Sequence, residues 1–421
     1  NRTSLPAPMM SREDITIWSI LKHSIGKDLS RITMPVYFNE PLSFLQRLAE
    51  YMEYDQLLDI AAESQDPLIR IQYVAAFAVS SSASNWNRIG KPFNPLLGET
   101  YELVTHRFQL VTEQVSHHPP ISAFHCRSLN NNYSLSLSVQ PKLKFWGKGV
   151  EVIPKGVAIL EFPKLGEIYT WSQVTTYIHN VITGKLWIEQ YGNLDVINHT
   201  NGYKCSINFK PSGWFGKDLN RLQGFVTDAN KEKAYSLEGK WTEELHSNLL
   251  NPALIKTRKS SKTSLPTSKD ADEDLENDGK SSLNPSQSTA NSLAVPYQNT
   301  SKTSSNNDLT DKPMYGMTAF SFMLNELTTT LEKYLPRTDS RFRPDIRYLE
   351  LGSTDKAASE KLRLEEKQRA ARRERAKNKT EYQPKWFYQT TNKFIGAQVW
   401  EFNGKYWNGD YEDCPHIYED K

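Results

Sequence analysis

Two adjacent histidines, His117 and His118, stand between the polar run Glu113-Gln114-Val115-Ser116 and the double proline Pro119-Pro120. Imidazoles can ligate a metal, serve a nucleophile or meet an anion. A metal needs converging ligands. Successive strand residues point to opposite faces, so His117 and His118 would reach one ion only through a sharp bend. His125 is the next histidine, and Cys126, Cys205 and Cys414 are too scattered for ligand spacing. No metal site is expected. The chain carries no Gly-x-Ser-x-Gly elbow, no Gly-x-Gly-x-x-Gly fingerprint and no Gly-x-x-x-x-Gly-Lys loop. No catalytic residue is assigned, and the reading is not an enzyme. What the histidines bind is open on this ground alone.

The elements that present them can be read from periodicity. Neither proline can donate to a sheet ladder, so the strand carrying this run should end here and hold the imidazoles at its tip. From Tyr101 to Trp241 the apolar period is two: Leu135, Leu137 and Val139 alternate with serines, and glycines punctuate the segments. Many short strands with turns between them predict a large antiparallel sheet or barrel, not a doubly wound fold. Upstream, Ile17, Trp18, Leu21 and Ile25 recur at helical spacing before Gly26, a helix that either packs on a core or covers an opening. Two further helices are expected from about Pro41 to Tyr54 and from Pro67 to Trp86.

Residues 256–312 are rich in Ser, Thr, Asn, Lys and Asp, with Tyr297 the one aromatic. Such a composition cannot offset its ordering entropy and reads as a disordered insertion. Apolar residues resume from Tyr315 to Leu327 and suit another strand of the same sheet. A charged helix follows from Lys356 to Lys377, with nine basic residues and three glutamates between Lys361 and Lys379. Lys361, Glu365 and Arg369 at i, i+4 and i+8 stack along one face, which by itself describes a solvated helix with internal ion pairs.

The chain has 421 residues, 51 Lys plus Arg, 49 Asp plus Glu and a net charge of +2. That balance argues against a nucleic-acid partner. Three separated cysteines fit reduced thiols in the cytosol. No apolar run approaches the roughly 20 residues that span a bilayer. The start at Asn1 suggests a portion of a longer protein.

Glu113 through Pro120 resembles the signature of the oxysterol-binding protein family of lipid-transfer proteins. Lys91-Pro92-Phe93-Asn94-Pro95-Leu96-Leu97-Gly98-Glu99-Thr100, the run Lys361 to Arg369, and Met34-Pro35 with Phe38-Asn39-Glu40-Pro41 resemble three more of its blocks. The resemblance covers nearly the whole chain apart from 256–312. It is closest to the branch with an ankyrin-bearing long member and its short sibling.

This resemblance implies a mainly β fold with flanking helices. One lipid-binding domain would span 1–421: a lid at 14–34, N-terminal helices at 35–90, an incomplete antiparallel β-barrel from 91–254 and 313–327 around a lipid tunnel, and a C-terminal helical subdomain at 328–421. It implies sterol and a phosphoinositide, usually phosphatidylinositol 4-phosphate, as alternative ligands, with no cofactor. The headgroup would meet Lys91, Asn94, His117, His118, Lys361, Glu365 and Arg369. Trp18, Leu21 and Leu29 of the lid would face the tunnel. Exchange of the two lipids between membranes is the implied activity, by a cytosolic protein touching organelle membranes or contact sites peripherally. A lipid-dependent sensor or scaffold, or a carrier of phosphatidylserine in place of sterol, are the alternatives.

Overall fold

The computed structural model describes residues 2–9, 34–181, 185–213, 218–252 and 314–420. Residues 14–33 of the expected lid, with Trp18, Leu21 and Leu29, and the insertion at 256–312 lie outside the described residues.

The chain enters through β1 (Asn39–Ser43) and the helices α1 (Phe44–Ala49), α2 (Gln56–Glu63) and α3 (Pro67–Ser80). Ser43 caps α1 in a reciprocal box with Gln46. Asp66 caps α3, whose first residue is Pro67, so the apolar run Tyr73–Val79 becomes a buried helix. The helix expected from Pro41 begins three residues later because Pro41 sits in β1. This strand pairs in parallel with β2 (Lys91–Phe93), apart from the main sheet.

The main sheet has thirteen strands. Its first half holds β3 (Thr100–Val104), β4 (Phe108–His117), β5 (Pro120–Ser128), β6 (Ser134–Phe145), β7 (Gly149–Lys155) and β8 (Ala158–Phe162). Next come β9 (Glu167–Trp171), β10 (Thr175–His179), β11 (Trp187–Asn198) and β12 (Lys204–Phe209). The last are β13 (Arg221–Thr227), β14 (Lys233–Lys240) and β15 (Leu245–Leu249). The strand order is β15-β14-β13-β12-β11-β10-β7-β6-β5-β4-β3, antiparallel throughout, with β8 and β9 bridging β6 to β11. Two twelve-residue strands, β6 and β11, thus serve two sets of neighbours along their lengths. The ends, β3 and β15, do not pair with each other, so the barrel is incomplete. Its inner face carries Phe108, Leu110, Phe124, Leu135, Leu137, Leu194, Val196 and Ile207, and packs on α1–α3 in one core.

Beyond the insertion the expectation of another strand is not met: Thr318 caps a helix, α4 (Ala319–Met323). Ser321 N donates to the capping Thr318 Oγ1, and Ser321 Oγ accepts from Arg88, which is buried against Glu40 and Glu50. The segment therefore docks on the N-terminal helical part, not on a sheet edge. Short α5 (Leu331–Tyr334), α6 (Pro344–Glu350) and the 25-residue α7 (Thr354–Asn378) follow. The aromatic tail is a hairpin, β16 (Phe387–Thr391) with β17 (Gln398–Phe402), so the C-terminal part is not purely helical. The hairpin lies on the outer face of the sheet: Phe402 stacks on His125 at 4.8 Å, and Trp400 N donates to Ser138 Oγ. Among the described residues no helix is long and apolar enough to cross a membrane.

Candidate headgroup site at the end of the curved sheet

The β4 strand ends at His117 and β5 begins at Pro120, so the two histidines occupy a tight turn in which His117 faces Pro120. The His118–Pro119 peptide is cis. The turn supplies the bend that strand geometry alone does not. His117 and His118 lie side by side, ring centroids 4.4 Å apart. The expectation that they diverge is corrected here, because His118 is no longer a strand residue. Among the described residues, no group of three His, Cys, Asp or Glu could hold a metal.

The rest of the octapeptide anchors the turn. Glu113 is buried and accepts hydrogen bonds from Tyr382 Oη, Lys385 N and Trp386 N, each at 3.0 Å. Burial raises its carboxyl to about 7, against the lowering effect of these donors. Gln114 donates to Ser116 O and accepts from Ser122, holding the two arms of the hairpin together. Glu113 and Gln114 are therefore structural members of the motif. Gly98, at φ +82°, lets the preceding loop pass the Tyr382 hydroxyl: a Cβ there would come within 2.7 Å of it.

Lys91 opens β2, where Asn39 Nδ2 holds its carbonyl. Its ammonium donates to Asn94 Oδ1 at 3.1 Å, and Asn94 in turn offers its carbonyl to buried Arg343. Arg343 also pairs with Glu99 and Asp345, which ties the Lys91–Thr100 block to α6. Lys91 is partly enclosed, and its ammonium is lowered to about 8 by burial first, then by Lys361. Lys361, mostly buried, pairs with Glu365 at 2.5 Å. Lys91, Asn94, Lys361 and Glu365 thus form one half of the site.

α7 connects that half to the histidines. Ala357 packs with Phe93 and Leu364 with Leu96, seating the helix on the Lys91–Thr100 block. About two turns beyond Lys361, Gln368 accepts from Leu97 N at 2.7 Å. Its amide nitrogen lies 2.9 and 3.1 Å from the two ring nitrogens of His117. Burial, then His118, Arg372 and Arg375, lower the His117 imidazole to about 4. The spacing of Lys361 and Gln368 puts the two halves about 10 Å apart along the helix axis.

At about 100° per residue, Lys361, Glu365, Gln368 and Arg372 fall within a narrow arc, whereas Arg369 lies about 80° from Lys361. The i, i+4, i+8 stripe therefore drifts off the face. Arg369 is exposed and bonds Glu366, which also meets Arg373. Six of the seven expected residues gather around the turn, β2 and α7; Arg369 sits at the rim of the group. Gln368 and Arg372 were missed, although their i+7 and i+11 spacing from Lys361 carried the signal.

The family model described as "Oxysterol-binding protein" matches residues 16–411. Oxysterol-binding protein-related protein 1 of Rattus norvegicus is 50% identical over 424 residues, covering 99% of this chain and 44% of its own length. Oxysterol-binding protein-related protein 2 of Homo sapiens is 49% identical over 429 residues, covering 99% and 88%. The chain thus spans under half the length of the first relatives it matches, and most of a shorter one. The crystal structure of the Osh1 ORD domain in complex with cholesterol matches with a TM-score of 0.81 at 32% identity, covering 99% of this chain and 94% of that one. That of the Osh3 ORD in complex with PI(4)P from Saccharomyces cerevisiae matches at 0.74 and 32%, covering 99% and 98%.

Proposed function

The chain belongs to the oxysterol-binding protein family, and from that premise we propose that it takes up a sterol and a phosphoinositide alternately and exchanges them between membranes. The observation that carries this reading is the convergence of β2, the β4–β5 turn and α7. Together they put two lysines, two imidazoles, a carboxylate and two amides at one end of an incomplete, apolar-lined barrel.

A phosphoinositide headgroup offers several anionic oxygens beside ring hydroxyls. Lys91 and Lys361 supply fixed cations, Asn94 and Glu365 can meet hydroxyls, and His117 and His118 can donate to a phosphate. A headgroup is large enough to bridge halves about 10 Å apart, which a metal ion is not. Each cation–phosphate contact is worth ~4 kcal/mol of gross Coulomb energy at an effective dielectric of 20, before desolvation. Arg369 would join by releasing Glu366.

A sterol asks for apolar burial instead. Covering about 400 Å² returns ~10 kcal/mol, close to what the bilayer gave it, so extraction is near thermoneutral. Similarity to one solved domain holding cholesterol and another holding PI(4)P supports one container with two ligands. Residues 14–34 would close it, Trp18, Leu21 and Leu29 facing inward. The role is that of a non-enzymatic carrier, cytosolic and peripheral to membranes.

The test is extraction of labelled sterol and labelled phosphatidylinositol 4-phosphate from liposomes. Each unlabelled lipid should lower uptake of the other. Simultaneous, additive uptake would overturn the shared container.

A further inference from the structure

The strand register shows which other parts of the chain share the histidine end of the sheet. Ser122 of β5 faces Val139 of β6, yet β6 runs on to Phe145. In this register Pro120 is level with Pro141, so at about 3.3 Å per residue β6 overhangs the turn-side end of β5 by roughly 13 Å in the same direction. Its hairpin with β7 turns at Trp146-Gly147-Lys148, and the register His179↔Gly149 and His179↔Trp187 brings the β10–β11 connection alongside. Met34, the last residue of the expected lid segment, packs here against the cluster of Phe145, Val150 and Val181.

The tip itself has an unusual composition for a solvent-facing turn. Trp146 is 57% exposed although its neighbours Phe145 and Val150 are buried. Gly147 has φ +81°, and a Cβ there would meet nothing within 4 Å, so the turn stands clear of the fold. Lys144 Nζ sits 5.5 Å from the Trp146 ring, Lys148 is exposed on the same turn, and Lys185 is exposed on the β10–β11 connection, where Val181 N donates to Lys148 O. The nearby carboxylates are engaged. Glu151 accepts from Trp146 Nε1 and Tyr191 Oη, and Glu189 meets His179 Nε2 at 2.8 Å. His179 in turn stacks on Trp187 at 3.8 Å.

A lone exposed tryptophan needs no explanation. A protruding one with lysines on its own turn and on the adjoining connection, on the same rim as a candidate headgroup site, does. We propose that the β6–β7 turn is a membrane anchor: Trp146 enters the interface of an anionic phospholipid bilayer while Lys144, Lys148 and Lys185 meet its headgroups. Indole rings settle at the headgroup level, with the ring N–H kept near polar partners, and lysines add attraction to an anionic leaflet. Contact there would bring the histidine end toward the bilayer. This deepens the exchange reading and rests on it for its purpose, but not for its test.

The test uses the whole chain and vesicles of phosphatidylcholine with or without phosphatidylserine, free of sterol and phosphoinositide, in a flotation assay. Binding should favour the anionic vesicles and weaken with salt. Trp146→Ala should lower partitioning several-fold. Lys144→Glu with Lys148→Glu should lower it at least about fivefold per lysine. Lys231→Glu, in the β13–β14 turn at the opposite end of the sheet, should leave it unchanged. Sterol loading from cyclodextrin should be the same for all four proteins, showing that the variants fold. Equal partitioning of the rim variants and the unaltered chain, or an equal loss with Lys231→Glu, would overturn the anchor. Failure of the unaltered chain to load sterol would count against the exchange reading while leaving the anchor standing.

Discussion

The side-chain amide of Gln368 bridges His117 and the backbone of Leu97, its nitrogen 2.9 Å from one ring nitrogen of His117 and its oxygen 2.7 Å from Leu97 N. One residue of α7 therefore adds a side-chain tie between the histidine turn and the Lys91–Thr100 block, beyond the backbone bonds by which Gly98 N donates to Gln114 O and Gln114 N to Glu99 O. Replacing Gln368 by Ala should weaken phosphatidylinositol 4-phosphate binding roughly fivefold to thirtyfold, the worth of one or two hydrogen bonds of about 1 kcal/mol net each. Sterol uptake should be unchanged. Equal weakening for both lipids, measured by extraction from liposomes, would mean that the bridge supports the fold instead of the site.

The paired histidines should matter more. Changing His117 and His118 together to Ala removes two donors to the phosphate, and hydrogen bonds to charged groups are worth about 1.5–3 kcal/mol each. Loss of at least a hundredfold in phosphoinositide affinity is expected, with sterol affinity within twofold. Retained phosphoinositide uptake in this variant would remove the histidines from the site.

Proton linkage gives a signature of Lys91. Its ammonium is held down near 8 by burial and by Lys361. A bound phosphate favours the charged form, so binding above pH 8 must take up a proton. Affinity should therefore fall as pH rises past 8, by up to tenfold per unit. Lys91→Arg keeps the charge at all these pH values and should flatten that limb. His117 works in the same direction on the acid side. Near 4 in the structure, it is neutral at pH 7, and a phosphate that raises it makes binding tighter as pH falls from 7 toward 6. A titration of affinity that is level from pH 6 to 9 would exclude both contacts.

Glu113 belongs to the fold, and its loss should read out as stability. Glu113→Ala leaves the buried donors of Tyr382, Lys385 and Trp386 without their acceptor, a loss of about 3 kcal/mol. Thermal unfolding should shift down by several degrees. Gly98→Ala should act on the same joint, because it combines a left-handed φ with a Cβ 2.7 Å from Tyr382 Oη. Unchanged melting in either variant would show that the tail is held elsewhere.

Much of this is legible in the amino-acid sequence. The two-residue period of Leu135, Leu137 and Val139 predicts the sheet, and those residues line its inner face. The double proline predicts the end of β4, and β4 ends at His117. The misses have physical causes. Apolar residues from Tyr315 to Leu327 suit strand or helix equally, and the Thr318 cap decided for a helix. The β16–β17 hairpin was hidden because its apolar residues face the outer side of a sheet whose inner side is also covered. On α7 a four-residue repeat drifts from the helical period, so Arg369 leaves the face on which Gln368 and Arg372 remain. Whether two adjacent histidines diverge or meet depends on a turn that strand periodicity does not describe.

The most direct test of the account is transport between two liposome populations, one carrying fluorescent sterol and the other phosphatidylinositol 4-phosphate. The account predicts that sterol delivery accelerates when phosphoinositide is present in the acceptor vesicles, that phosphoinositide moves the opposite way at a matching rate, and that His117→Ala with His118→Ala abolishes the coupling. Sterol delivery at one rate regardless of phosphoinositide, with no counterflow, would contradict it.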